Sequence, residues 1–275
     1  MRYGTYPRHH PEDFENRERL IEEFVLPGFI PPEPVINESS KMRTQGSCFA
    51  ENIHHAISNR GLDCQHLTMQ EAVNSPLANR LLFDRVANQS VFPSHPFHDQ
   101  LFPALTIKQV RESIPNEDLF IFTVGVAGCW FDATGNAPTV DVDPKKLKDF
   151  SFRWLSAAEN AQHLKAILEV LRHLNPDLHV VLTLSPVPLN RAFGYPSAVV
   201  GDCISKSTLR VAIAAVLEAA GPKVSYWPSF EIVRWMGSHL PPVFGIDDGV
   251  GRHVSKEMVD TIVRLFLKHY AGLYR

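Results

Sequence analysis

Two short runs constrain this chain most: Leu119–Gly125 and His179–Ser185 are apolar almost throughout. A strand with one wet face alternates apolar and polar residues. A continuous apolar run predicts a strand buried on both faces, which is the signature of a parallel sheet covered by helices. Three further strands are read at Lys41–Gly46, Leu62–Leu67 and Val224–Trp227. Helical periodicity falls over Phe49–Asn59, Pro76–Ala87, Ile107–Ser113, Ala157–Leu174, Lys206–Ala220 and Lys256–Tyr270. This alternation predicts an α/β protein: a three-layer α/β/α sandwich around a mostly parallel five-stranded sheet. With 275 residues, 44% of them hydrophobic, one chain can fill such a core. Residues 1–40 read as an N-terminal helix from Pro11 to Phe24 and a connector held extended by Pro27, Pro31, Pro32 and Pro34. Residues 41–275 are then expected to form the main domain, the one that carries the candidate site.

Ligands of such sheets bind outside the carboxyl ends of the strands. The loops Gly46–Phe49, Gly125–Trp130 and Ser185–Leu189 are therefore expected to converge. The first carries Gly46-Ser47-Cys48-Phe49-Ala50, two candidate nucleophiles where a strand gives way to a helix. Unpaired N–H groups and the positive end of a helix dipole at such a junction favour a thiolate and can cradle an oxyanion, as acyl transfer requires. The competing reading is two small residues packed at a tight turn. Gly46 speaks against it, because a glycine there lets the backbone approach a ligand. Among thirteen histidines, His253 is the candidate base: Asp247, Asp248, Gly249 and Gly251 precede it in a flexible loop that can swing over a nucleophile while an acid orients the ring. His54 and His55 lie within the first core helix. His95 and His98 form an H-x-x-H pair better read as a surface loop than as a metal site. No G-x-S-x-G elbow or P-loop occurs, and Gly249-Val250-Gly251 follows no strand.

Composition narrows the partners. With 27 basic against 30 acidic residues and no run of Lys or Arg, nucleic acid is not an expected partner. The cysteines at 48, 64, 129 and 203 lack paired metal spacing and read as free thiols, so no metal is expected. Reduced thiols and a charged N-terminal stretch without a leader pattern predict a cytoplasmic protein. The longest apolar stretch, Leu119–Phe131, is too short to span a bilayer.

The stretch Gly46-Ser47-Cys48-Phe49-Ala50-Glu51-Asn52-Ile53 is followed in order by Ser185-Pro186-Val187, Ser205-Lys206, Tyr226-Trp227-Pro228-Ser229-Phe230-Glu231 and His253-Val254-Ser255. Together, over residues 42–270, they resemble the GSCFA domain family, a branch of the SGNH (GDSL-like) hydrolase superfamily. The resemblance implies a flavodoxin-like sheet and ester chemistry. The nucleophile of GDSL-type enzymes is the third residue of G-D-S, which falls on Cys48, with Ser47 in the place of the aspartate and as the alternative nucleophile. A distant capsule-polysaccharide acetyltransferase family with a G-N-C turn is similar here, which keeps acyl-coenzyme A in view as a donor; no other cofactor is implied. The superfamily's D-x-x-H block has Val250 where the acid belongs, leaving Asp248 or Asp247 to orient His253. Its G-x-N-D block reads Gly125-Val126-Ala127-Gly128, without the oxyanion-hole Asn. Backbone N–H groups of that turn, or Asn74, are the replacements, with Ser185 on the neighbouring loop. The implied substrate is an acyl ester of a carbohydrate or other small molecule, hydrolysed or exchanged. The contrasting expectation is a non-catalytic carbohydrate-binding or scaffold protein on the same fold.

Overall fold

In the computed structural model, residues 4–9, 12–69, 74–89, 91–92, 96–132, 135 and 150–274 are described. The strands are β1 (Met42–Gly46), β2 (Cys64–Thr68), β3 (Leu119–Val124), β4 (Gly128–Asp132), β5 (Phe150–Trp154), β6 (His179–Leu184) and β7 (Val224–Tyr226). Five of them form one sheet in the order β2-β1-β3-β6-β7, and every pairing in it is parallel. Counting only these strands the order is 2-1-3-4-5, the flavodoxin-like winding, with its switch point between β1 and β3. Both continuously apolar runs are the inner strands β3 and β6, buried at every position.

Helices cover both faces: α1 (Arg17–Phe24), α2 (Cys48–Ser58), α3 (Pro76–Val86), α4 (Pro96–Leu101), α5 (Ala104–Ser113), α6 (Ala157–Leu174), α7 (Ala198–Leu217), α8 (Ser229–Arg234) and α9 (Lys256–Tyr270). Alternate residues of β3 feed the two layers, as the period of a strand demands. Phe120, Phe122 and Val124 pack with α3, α6 and α7, while Leu119 and Ile121 pack with α2 and α9. Leu20, Ile21 and Leu26 are fully buried, and Ile21 and Leu26 join the α2–α9 layer. Glu18 pairs with Arg264, and Glu22 with Lys268 and His269. The helix expected from Pro11 begins only at Arg17. Asn16 caps it by accepting from Arg19 N, and the Asp13 carboxylate is taken up by the backbone N–H groups of Arg8 and His9. Pro11 lies outside the described residues.

Periodicity missed several features, the short α8 among them. α7 starts at Ala198, well before Lys206, because Ser197 supplies an N-cap to Val200 N. The antiparallel pair β4–β5 was hidden because Gly125–Trp130 read as a loop. Of the H-x-x-H pair, His95 lies outside the described residues and His98 is buried in α4, 1% exposed, not on a surface loop.

Candidate active site

Because all five strands run in one direction, the segments leaving β1, β2, β3 and β6 emerge at one edge of the sheet. A small pocket there is walled by Ser47 and Cys48 after β1, Asn74 after β2, Gly125 and Val126 after β3, Ser185, Val187 and Leu189 after β6, and Lys206 from α7. Ser47 is the N-cap of α2, yet its hydroxyl makes no capping bond, so it does not consume the first-turn N–H groups. Cys48 is the first residue of the helix proper and is partly exposed. By contrast, burial pushes the thiols of Cys64 and Cys129 up to about 12.

Gly46 has a role other than the one expected. Its φ of +148° suits glycine, and a Cβ there would meet Thr123 Cβ at 2.9 Å and Ala50 Cβ at 3.0 Å. The missing side chain lets β1 close against β3 and the first turn of α2, so the space it leaves is filled by protein and not by ligand.

The turn after β3 is also committed. Gly125 N and Val126 N both donate to Asn74 O, Ala127 N donates to Ser205 Oγ, and Lys206 Nζ donates to Gly125 O at 2.8 Å. The N–H groups of Gly125, Val126 and Ala127 are therefore spent, which corrects the expectation that this turn supplies an oxyanion hole from its backbone. Ala127 is 1% exposed and lies outside the pocket wall. Gly128 opens β4, where a Cβ would strike the Phe152 ring at 2.6 Å, so it serves the hairpin and not the site.

Asn74 remains. It is 1% exposed, and neither its amide nitrogen nor its amide oxygen finds a hydrogen-bond partner among the described residues. Its Nδ2 lies 3.0 Å from where a Cβ on Gly125 would sit, so that glycine makes room for the amide. Ser185 is 2% exposed and accepts from Val187 N, fixing the opposite wall.

His253 and its acids lie on the segment before α9. The carbonyl of Tyr270, at the end of α9, accepts from Val35 N and Ile36 N, just ahead of β1. α9 therefore runs back along the sheet from its carboxyl edge, and His253 starts from the edge that carries Cys48. His253 Nδ1 and Asp248 Oδ2 are 2.6 Å apart. The bond to His253, aided by Val250 N, holds the Asp248 carboxyl below its usual range. An ionised carboxylate only accepts, so Nδ1 donates to Asp248 and Nε2 is the ring nitrogen left for a second partner. Asp247 instead accepts from Lys256 N and caps α9. The segment is braced rather than loose: Gly245 N donates to His253 O, Ser255 N to Val243 O, and Phe244 bridges Val254. Neither His253 nor Asp248 lines the pocket of Cys48.

Sequence reasoning quoted Lys206 in a motif but assigned it no role. Asp202, Ser205 and Lys206 stand at i, i+3 and i+4 on α7, at most 2% exposed. Asp202 accepts from Leu189 N and pairs with Arg234, Ser205 accepts from Ala127 N, and Lys206 holds Gly125 O. Three polar residues at this spacing, on a face that also carries Leu209, Ile213 and Val216, were the readable signal. Among the described residues, no three His, Cys, Asp or Glu side chains cluster as metal ligands, and no helix is long and apolar enough to cross a membrane.

Comparison with solved structures returns several chains of esterase and acyltransferase type. A carbohydrate esterase family 2 enzyme with a carbohydrate-binding domain, from Corynascus thermopiles (Myceliophthora fergusii), is 14% identical over 88% of this chain and 68% of its own, with a TM-score of 0.46. A protein described as a GDSL-like lipase from Parabacteroides merdae is 10% identical over 86% of this chain and 98% of its own, with a TM-score of 0.47. A salicylyl-acyltransferase from a tetracycline biosynthetic pathway is 15% identical over 86% and 55%, with a TM-score of 0.43. Identities and TM-scores this low leave every residue role to be read from this chain's own geometry. No curated protein matches the chain. The sequence profile of the GSCFA family, however, matches residues 41–266, well over half of the chain, and the protein belongs to that family.

Proposed function

We propose that this protein is an acyl-transfer enzyme of the SGNH type that carries the acyl group on Cys48. The observation that carries the reading is the Asn74 amide, buried without a hydrogen-bond partner among the described residues, in the same pocket as the first turn of α2. A buried amide leaves both its hydrogen-bonding atoms unpaired only at a cost, and an oxygen that acquires negative charge beside it would repay that cost. In this mechanism His253 Nε2 takes the thiol proton while Sγ attacks the acyl carbonyl carbon. The tetrahedral oxyanion accepts from Asn74 Nδ2 and the first-turn N–H groups of α2. Collapse breaks the ester C–O bond, and the imidazolium returns its proton to the departing alkoxide. Water or an acceptor hydroxyl then attacks the thioester carbon while the same nitrogen takes its proton; the C–S bond breaks, the acid or new ester leaves, and the imidazolium returns the proton to Sγ. Asp248 holds the ring, and Asp247 serves the helix. The substrate favoured is an acetyl ester of a carbohydrate, with acyl-coenzyme A as the donor if the reaction is a transfer.

A second reading, a non-catalytic carbohydrate-binding module, draws on the position of His253 and Asp248 outside the pocket wall. Intact-mass spectrometry after incubation with an activated acetyl ester, and separately with acetyl-coenzyme A, decides between them. The enzyme reading expects an acetyl adduct that Cys48→Ala abolishes and that forms about 10²- to 10⁴-fold more slowly in His253→Ala. Asp248→Asn should slow it less than His253→Ala, and Asp247→Asn should leave the rate unchanged. An adduct that persists in Cys48→Ala and vanishes in Ser47→Ala moves the nucleophile to Ser47. No adduct from either donor favours the binding module.

A further inference from the structure

Gln45, the last residue but one of β1, and Asn79, on α3, are both completely buried. They stand in the apolar layer between the sheet and α3, where Gln45 lies in register between Leu67 and Phe122. Leucine at both positions would fill this layer without stripping two amides of water. Instead, Gln45 Nε2 donates to Asn79 Oδ1 at 2.5 Å, and Asn79 Nδ2 donates to Ser75 O at 2.8 Å. Gln45 Oε1 finds no hydrogen-bond partner among the described residues. A pair that leaves a buried acceptor unpaired is not explained by stability, whereas a directional bond specifies one arrangement of the parts it joins.

Those parts are two segments of the pocket wall. Gln45 immediately precedes Gly46-Ser47-Cys48, so it sits where β1 delivers Ser47 and Cys48 to the pocket. Ser75 immediately follows Asn74 and caps α3 by accepting from Ala78 N, while Asn74 O takes Gly125 N and Val126 N. We propose that Gln45 and Asn79 are positioning residues: their bond fixes the end of β1 against the Asn74–Ser75 corner, and so holds the Asn74 amide in place relative to the nucleophile segment. The effect on rate rests on the function proposed above, whereas the effect on geometry does not.

Gln45→Leu and Asn79→Leu alone each leave one amide buried without its partner and should lower the urea midpoint. The double variant Gln45→Leu/Asn79→Leu removes both amides, while Ser75 O keeps the backbone N–H of residue 79, and should regain most or all of that stability. In this double variant, hydrogen exchange at the Gly125 and Val126 amides, which report the grip of Asn74 O, should be about tenfold faster than in wild type. With an activated acetyl ester, the maximal rate of adduct formation should fall about 10- to 100-fold while the half-saturating ester concentration stays within about twofold, because misplacement acts on the transition state. Asn175→Ala, which loses a buried amide just ahead of β6 at the other edge of the sheet, should lower the urea midpoint without lowering the maximal rate. A folded double variant with wild-type exchange at Gly125 and Val126 overturns the proposal whatever its rate. Faster exchange with an undiminished maximal rate overturns it as well. Should the double variant not fold, Gln45→Met, which removes the donor at nearly constant volume, is read in the same way. Wild-type protein that takes no acetyl group refutes the enzyme reading, and exchange alone then decides whether the pair holds the corner.

Discussion

Asn74 is the residue at which stability and the proposed activity should part. Its amide makes no hydrogen bond among the described residues, so Asn74→Ala removes no bond, and what it loses in packing is offset by removing two unsatisfied polar atoms. Its backbone carbonyl, which holds Gly125 N and Val126 N, survives the substitution. We expect a melting temperature unchanged or raised, with acetyl-adduct formation about 10²- to 10³-fold slower, as loss of one oxyanion donor implies. A parallel fall in melting temperature and rate would show a structural residue. Cys48 and His253 could be singled out as candidates from the sequence because a thiol and an imidazole are chemically distinctive and these two stand beside glycines and helix starts. The division of labour between Asp247 and Asp248 could not, since two adjacent acids differ only in which one meets the ring and which one meets the helix. Gly46 misled for a related reason: a glycine declares that something approaches its Cα, but not whether that is ligand or Thr123.

At the scale of an element, α7 sets the geometry of the pocket. Its buried face holds the segment after β6 through Asp202 and the segment after β3 through Ser205 and Lys206. Asp202→Ala leaves Arg234 without its carboxylate and Leu189 N without its acceptor. Arg234 keeps some solvent access, so the cost belongs near the low end for a broken buried pair, about 3 kcal/mol. Urea unfolding should record it as a lower midpoint at unchanged slope. Asp202→Asn, which can still accept from Leu189 N, should cost less, and equal losses would mean that the ion pair contributes nothing. α6 and α9 were legible to the residue because caps and amphipathic stripes coincide at their ends. The first two turns of α7 were not, because Val199, Val200 and Ile204 are exposed and blur the periodicity.

For the whole molecule, acid should be destabilising well above the carboxylate range. Desolvation lowers the imidazoles of His66, His163 and His179 from 6.5 to about 4. Between those values the unfolded chain binds protons that the folded chain refuses, so stability is full above about pH 6.5 and falls as pH drops toward 4. Unfolding at pH 5 should take up as many as three more protons than unfolding at pH 8, measurable as a falling urea midpoint or by calorimetry in buffers of different ionisation enthalpy. A midpoint flat from pH 7 to 5 would contradict this. The parallel sheet was legible because its two inner strands are apolar on both faces, while the packing of α1 was not, because no local pattern announces a partner so distant in sequence. That distance acts before the protein is complete. The α1 contact to α9 closes a separation of 246 residues, so at ordinary synthesis rates of about 5–20 residues per second, α1 waits roughly 12–50 s for its partner. During that interval Leu20 and Ile21 stay uncovered on the nascent chain, which makes the joining of α1 and α9 one of the last events in folding and the first helix a ready target for a chaperone.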